Sequence, residues 1–191
     1  MLVYKELINT NHELSKKVLG DYYKLKEEIK KLINLDYKHM VDKISKHKDV
    51  FFIGRLIDYY LALEGSLKLK EISYIHSETY AAGELKHGTI SLIENDTPVI
   101  SILTDLSIYE KTISNIKEVK ARGAYSLVIK RKGINIANDV YDDLIEIEDL
   151  SDLVTSVLTV IPLQLLAYHV AYNLGYDIDK PRNLAKSVTV E

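Results

Sequence analysis

The chain has 191 residues, 47% of them hydrophobic and 28% charged, which is enough for one domain with a sizeable core, alone or with an appendage. Lys and Arg number 25 against 28 Asp and Glu, a net charge of −3 with the lysines spread along the chain, which argues against nucleic acid as a partner. Cysteine is absent, so disulfides, thiolate metal sites and a cysteine nucleophile are excluded, and the composition suits a reducing cytoplasm.

Residues 1–6 show no basic-then-apolar leader pattern. Residues 12–33 carry apolar side chains at Leu14, Val18, Leu25, Ile29, Leu32 and Ile33, which predicts an amphipathic lead helix. A short helical piece is expected around 37–45. "DVFFIG" is a compact apolar run ending in glycine, the form of a strand buried on both faces. Residues 56–73 read as a long helix, 98–103 ("PVISIL") as a second strand, 109–122 as a helix closed by Gly123, and 125–130 as a third strand. "DDLIEIED" reads as a short fourth strand. The most apolar segment, 157–170, is interrupted by Pro162, Gln164 and His169 and is shorter than a membrane span of about 20 apolar residues, so it reads as a buried helix. Residues 176–191 hold no long periodic pattern and read as an extended tail. The alternation predicts an α/β fold: a three-layer α-β-α sandwich around a mostly parallel sheet, with residues 1–34 as lead and 35–175 as the domain.

In open α/β sheets ligands bind beyond the carboxyl ends of the strands, and "FFIGR" delivers the chain to that edge. Gly54 permits a tight turn there, and the next helix offers free N–H groups to an anion, although a lone glycine after a strand is weak as a signal. On that helix Glu64, Lys68 and Glu71 fall on one face, with Leu56, Tyr60, Leu63, Leu67 and Ile72 mostly on others, free to serve the core. The plain reading of the charged trio is a solvated stripe of ion pairs. The following stretch, "HSETYAAGELKHG", is too rich in Ala, Gly and polar groups for a core strand, and reads as a loop that positions side chains for a ligand, with His87 set between Lys86 and Gly88. His76 and His87 lack a compact metal-ligand spacing, so no metal is expected.

"ALEGSLKLKEISYIHSETYAAGELKHG" and "DKPRNLAKSVTVE" resemble the second sugar-isomerase (SIS) half of the glutamine–fructose-6-phosphate aminotransferase family, with the likeness running from about Val50 to Glu191. The resemblance implies conversion of fructose 6-phosphate to glucosamine 6-phosphate, by opening the ring, forming an imine at C2 and moving a proton between C1 and C2. It implies Glu71 as proton shuttle, His87 as the ring-opening group supplied across a dimer by the neighbouring subunit, and Lys186 as the amine, with the Ala185 backbone beside it. Glu64 and Lys68 would support Glu71 and the developing enolate. Chemically, the shuttle needs a carboxylate near neutral pH, whereas a cation one turn away should lower the Glu71 pKa. The lysine becomes a useful nucleophile only when the tail closes over the sugar and removes water. The resemblance implies no cofactor, no membrane and a homodimer through the SIS helices.

Three departures bear on this. Without cysteine the chain cannot release ammonia from glutamine. No serine- and threonine-rich phosphate loop precedes Val50. Where the family reads "GRG", this chain has Leu56 in place of the second glycine, which puts close backbone approach there in question. The expectation is thus an isomerase half complete in fold but not in active site and inactive alone, or else a free-standing SIS module that binds a sugar phosphate or a partner without turnover.

Overall fold

The computed structural model describes residues 12–182, so Ala185 and Lys186 lie outside the described residues. In chain order the elements are α1 (His12–Ile33), α2 (Lys38–Ile44), β1 (Asp49–Gly54), α3 (Ile57–Ser73), β2 (His76–Ala81), β3 (Pro98–Leu103), α4 (Tyr109–Lys120), β4 (Tyr125–Arg131), β5 (Asp143–Ile147) and α5 (Asp152–Asn173). The five strands form one sheet in the order β2-β1-β3-β4-β5. Every neighbouring pair is parallel.

Alternation along the strands builds two cores. Val50, Phe52, Ile100, Ile102, Leu127 and Ile129 point to one face, where they meet α2, α3 and α5. Phe51, Ile53, Val99, Leu103 and Val128 point to the other, against Ile116 and Val119 of α4 and the apolar residues of two 3₁₀ turns, Leu85–His87 and Thr89–Leu92. The sheet is therefore covered on both faces, as its apolar strands require.

One element departs from the sequence reading. Residues 76–81, expected as part of a loop, form β2, the edge strand beside β1. An edge strand pairs on one side only and need not carry a continuous apolar run. Here Ser77 is its one fully buried residue. It bonds α3 directly, since Ser77 Oγ donates to the Ser66 carbonyl (2.8 Å) and Ser66 Oγ donates to Ser77 Oγ (3.0 Å).

The 22-residue helix α5 is long and apolar enough to cross a membrane by length and composition alone, with half of its most apolar window buried in the fold. Its Leu158, Leu163, Leu166 and Val170 belong to the first core. The lead helix is docked against the same side by Val18, Leu25, Ile29 and Leu32.

A polar tie reinforces that docking: buried Asp21 of α1 accepts a hydrogen bond from the Ser151 N–H (2.8 Å) at the start of α5. Burial alone would raise the Asp21 pKa, but the Ser151 and Lys24 donors outweigh it and hold the carboxyl below its usual 3.8. A lowered folded-state pKa contributes stability above the unfolded value that is lost as pH falls through the folded one. Asp21→Ala should therefore cost about 1–2 kcal/mol at neutral pH by orphaning a buried N–H. Urea unfolding at a series of pH values should show that deficit shrinking below about pH 4.

Candidate functional site

The site readings centre on α3, and its two ends are different places. The helix starts at the carboxyl edge of the sheet, directly after β1, and returns antiparallel to the strands, so Glu71 in its last turn lies at the amino edge. β2 then runs six residues back, about 17 Å, before the chain reaches His87. Glu71 and His87 of one chain are thus at opposite edges of the sheet, and the structure does not bring them together.

At the carboxyl edge, Gly54 is required by close approach: a Cβ there would lie 2.4 Å from the Asp58 carbonyl carbon and oxygen. Leu56, which precedes α3, takes φ 52° and ψ −122°, a conformation that favours glycine, with its side chain 58% exposed. Two of the first N–H groups of α3 are already engaged within the turn. Those of Asp58 and Tyr59 donate to the Arg55 and Leu56 carbonyls at 3.0 and 3.2 Å. Asp58 itself is buried, which pushes its carboxyl up, and accepts from the Thr104 and Asp105 N–H groups at 2.8 and 3.0 Å. Beyond it a cleft of about 680 Å³ is lined by Ile57, Thr104, Asp105, Ser107, Arg131 and Asp152, among others. Its one cation, Arg131, already pairs with Asp149 (2.6 Å) and Asp152 (2.8 Å). With aspartates outnumbering the arginine, this cleft does not favour a phosphate.

The loop that carries His87 is firmly built. Arg55 donates to Asn115 Oδ1 through Nε (3.2 Å) and Nη2 (2.9 Å), and Gly83 lies under the guanidinium, where a Cβ would sit 2.5 Å from Nη2. Leu85 is buried in the second core and Gly88 takes φ 145°, so the turn presents His87 to solvent. His76 lies at the other end of β2, 2.8 Å from Asp49, apart from His87. Among the described residues no group of three or more His, Cys, Asp or Glu is placed to hold a metal ion.

The charged trio is present as a half-exposed stripe. Lys68 Nζ is 2.7 Å from Glu71 and 3.9 Å from Glu64, and the Glu71 hydrogen bond holds the lysine above its usual pKa. The neighbouring apolar positions are corrected by the structure. Tyr60 (66% exposed), Leu63 (39%) and Leu67 (42%) do not serve the core, and neither does Leu56. The buried face of α3 pairs Leu61 and Leu69 with Ala62, Gly65 and Ser66, small residues that allow close packing; a Cβ on Gly65 would meet Leu163 of α5 at 2.7 Å. Tyr60, Leu63, Leu67 and Glu64 instead line a shallow groove of about 350 Å³ beside Thr79 of the edge strand.

Sequence reasoning missed one contact near Glu71. Tyr74, three residues on, accepts a hydrogen bond from the Arg182 N–H at 2.8 Å, which brings the end of the described chain to the Glu71 end of α3. A tyrosine immediately after a helix with no glycine to end it was the available signal.

The strand-to-helix turn gives a paired expectation. Leu56→Gly should raise stability by about 1 kcal/mol, since little buried surface is lost and the strain is removed. Gly54→Ala should lower it by about 2 kcal/mol or more through the clash with Asp58. Urea midpoints moving in opposite directions would bear this out, and a destabilised Leu56→Gly would contradict it.

Comparison with known proteins agrees with this architecture. The SIS domain family matches residues 43–174. The glutamine–fructose-6-phosphate aminotransferase (isomerizing) of Caldanaerobacter subterraneus is 53% identical over 178 residues, covering 91% of this chain and 29% of the relative, so the chain spans about three tenths of that relative's length. The C-terminal domain of glucosamine-fructose-6-phosphate aminotransferase from Francisella tularensis superposes with a TM-score of 0.69 at 34% identity, covering 88% of this chain and 45% of that one. A putative tagatose-6-phosphate ketose/aldose isomerase from Clostridium novyi shares the fold, with a TM-score of 0.80 at 19% identity, 97% of this chain and 52% of that one being covered. With a parallel five-stranded sheet between helical layers and a family match over most of its length, this chain belongs to the SIS domain family.

Proposed function

We propose that this chain is the C-terminal isomerase half of a cytoplasmic glucosamine-6-phosphate synthase, and that it works on fructose 6-phosphate only when a first SIS half and a second copy complete its site. In this reading Lys186 attacks the C2 carbonyl of the opened sugar and water leaves, giving an imine; ammonia supplied by another part of the enzyme then adds at C2 and displaces the Lys186 amine, leaving the sugar's own C2 imine for the proton shift. Glu71 removes a proton from C1 and returns it at C2, and Lys68 and Glu64 support the charge on Glu71 and on the enolamine between the two steps. His87 opens the ring in the site of the neighbouring subunit, and residues 176–191 close over the sugar.

The observation that carries this reading is the placement of Arg182 on Tyr74. Lys186 is four residues further on, a reach of at most about 14 Å, and the described chain ends on the residue that follows the Glu71 end of α3, which supports a role for the tail there. The separation of Glu71 from His87 across the sheet supports a histidine from another chain. The acidic, already paired character of the carboxyl-edge cleft supports a phosphate grip supplied by the first half. The exposed Tyr60, Leu63 and Leu67 beside the charged trio suit a homodimer or paired half through the SIS helices, which would also remove water from Glu71.

That same exposed stripe favours a second reading, a SIS module that binds a partner or a sugar phosphate without turnover. Proton exchange at C1 of fructose 6-phosphate in deuterium oxide separates the two. The isomerase reading expects exchange only when the first half is added, and a loss of about 100-fold or more in Glu71→Gln. Tight binding of the sugar phosphate by the lone chain, undiminished in Glu71→Gln and Lys186→Ala, would support the module instead.

A further inference from the structure

The turn after β1 and the loop that carries His87 are joined by a short mechanical chain. The Gly54 carbonyl accepts from the Ala82 N–H at 2.8 Å, and the next residue, Arg55, lays its guanidinium over Gly83. That guanidinium is set by the buried Asn115 of α4, whose amide is oriented from both sides: Oδ1 accepts from Arg55 Nε and Nη2, and Nδ2 donates to Glu118 at 3.3 Å. A flat, forked group held in this way moves aside only by giving up its bonds to Asn115, which leaves no room for a Cβ on Gly83; it would stand 2.5 Å from Nη2 and 3.1 Å from the guanidinium carbon. From Gly83 the path to His87 is short. The Glu84 N–H donates to the Ala81 carbonyl at 2.7 Å, the Glu84 carbonyl accepts from the His87 N–H at 3.0 Å, and Leu85 anchors the loop between them in the second core.

We propose that Arg55 is a positioning residue for His87: it acts through Gly83 and Glu84 to hold the imidazole where it meets the ring oxygen of the sugar in the neighbouring subunit's site. The inference rests on the reading of His87 as the ring-opening group. That step breaks the C2–O5 bond, places a proton on O5 and takes one from the C2 hydroxyl, which becomes the carbonyl, so it depends on the imidazole standing within hydrogen-bond reach of the sugar oxygens. A displacement of about 1 Å costs such a step up to about 100-fold. Lysine at position 55 keeps the charge but has neither the fork that grips Asn115 nor the flat face that lies on Gly83, so it does not replace the arginine.

Proton exchange at C1 in deuterium oxide, with the first SIS half supplied, tests this on a pair of substrates. Fructose 6-phosphate has to be opened, whereas its 5-deoxy analogue lacks the hydroxyl that closes the furanose ring and is always open. A general loss of folded protein lowers both rates together and cancels in their ratio, so the ratio follows ring opening. Relative to the unaltered chain, the ratio of fructose 6-phosphate to analogue should fall about 100-fold or more in His87→Asn, and about 10-fold in Arg55→Lys, Arg55→Ala and Gly83→Ala. When Arg55→Ala and Gly83→Ala are combined, the fall should match that of Arg55→Ala alone, because without the guanidinium the added methyl has nothing to push. An unchanged ratio in the Arg55 variants, or losses that multiply in the combined variant, would overturn the inference. An unchanged ratio in His87→Asn would instead overturn the assignment of ring opening to His87.

Discussion

Parallel pairing of β1 with β2 constrains everything else in this molecule. Two parallel neighbours can be joined only by a connection that returns from the carboxyl edge to the amino edge, and α3 is that connection. Its first turn and its last turn therefore serve different surfaces. The first turn is taken up by internal contacts, with Gly54 pressed against the Asp58 backbone and the Asp58 carboxylate tied to the loop after β3. The last turn carries Glu71 to the opposite edge, where the end of the described chain comes to meet it.

The same constraint explains why one chain does not make a closed site. β2 carries His87 away from Glu71 by the full width of the sheet, and the Glu64, Lys68 and Glu71 stripe lies on an open helix face rather than in a cavity. Beside it are Tyr60, Leu63 and Leu67, apolar side chains spaced along the same helix and left in water. A carboxylate asked to move a proton from carbon needs an enclosed setting, so the surface that covers these residues is part of the chemistry in the proposed reading.

Legibility from sequence followed the strength of the apolar signal. β1, β3 and β4 each carry a cluster of Val, Ile, Leu or Phe ("VFFI", "VISIL", "LVI") and could be read directly. β2 could not, because an edge strand of "HSETYA" buries a serine against a helix and has no apolar run to show. The apolar positions of α3 were misread in part because its buried face combines Leu61 and Leu69 with the small residues Ala62, Gly65 and Ser66, while Tyr60, Leu63 and Leu67 lie exposed; Ile72 packs against the core as read. The charged trio was legible because helical spacing is fixed. Its remoteness from the carboxyl-edge cleft depended on which way α3 returned relative to the strands. The contact between Tyr74 and Arg182 spans 108 positions and leaves no local pattern, and the same holds for Asp21 and Ser151 across 130.

The central claim is that a working site takes Glu71 from one chain and His87 from another. Mixing Glu71→Gln chains with His87→Asn chains, each supplied with a first SIS half, tests it most directly. Random pairing makes half of the dimers mixed, and each mixed dimer holds one site with both groups intact, so activity should recover to about a quarter of that of the unaltered protein. Activity no higher than that of either variant alone would contradict the claim.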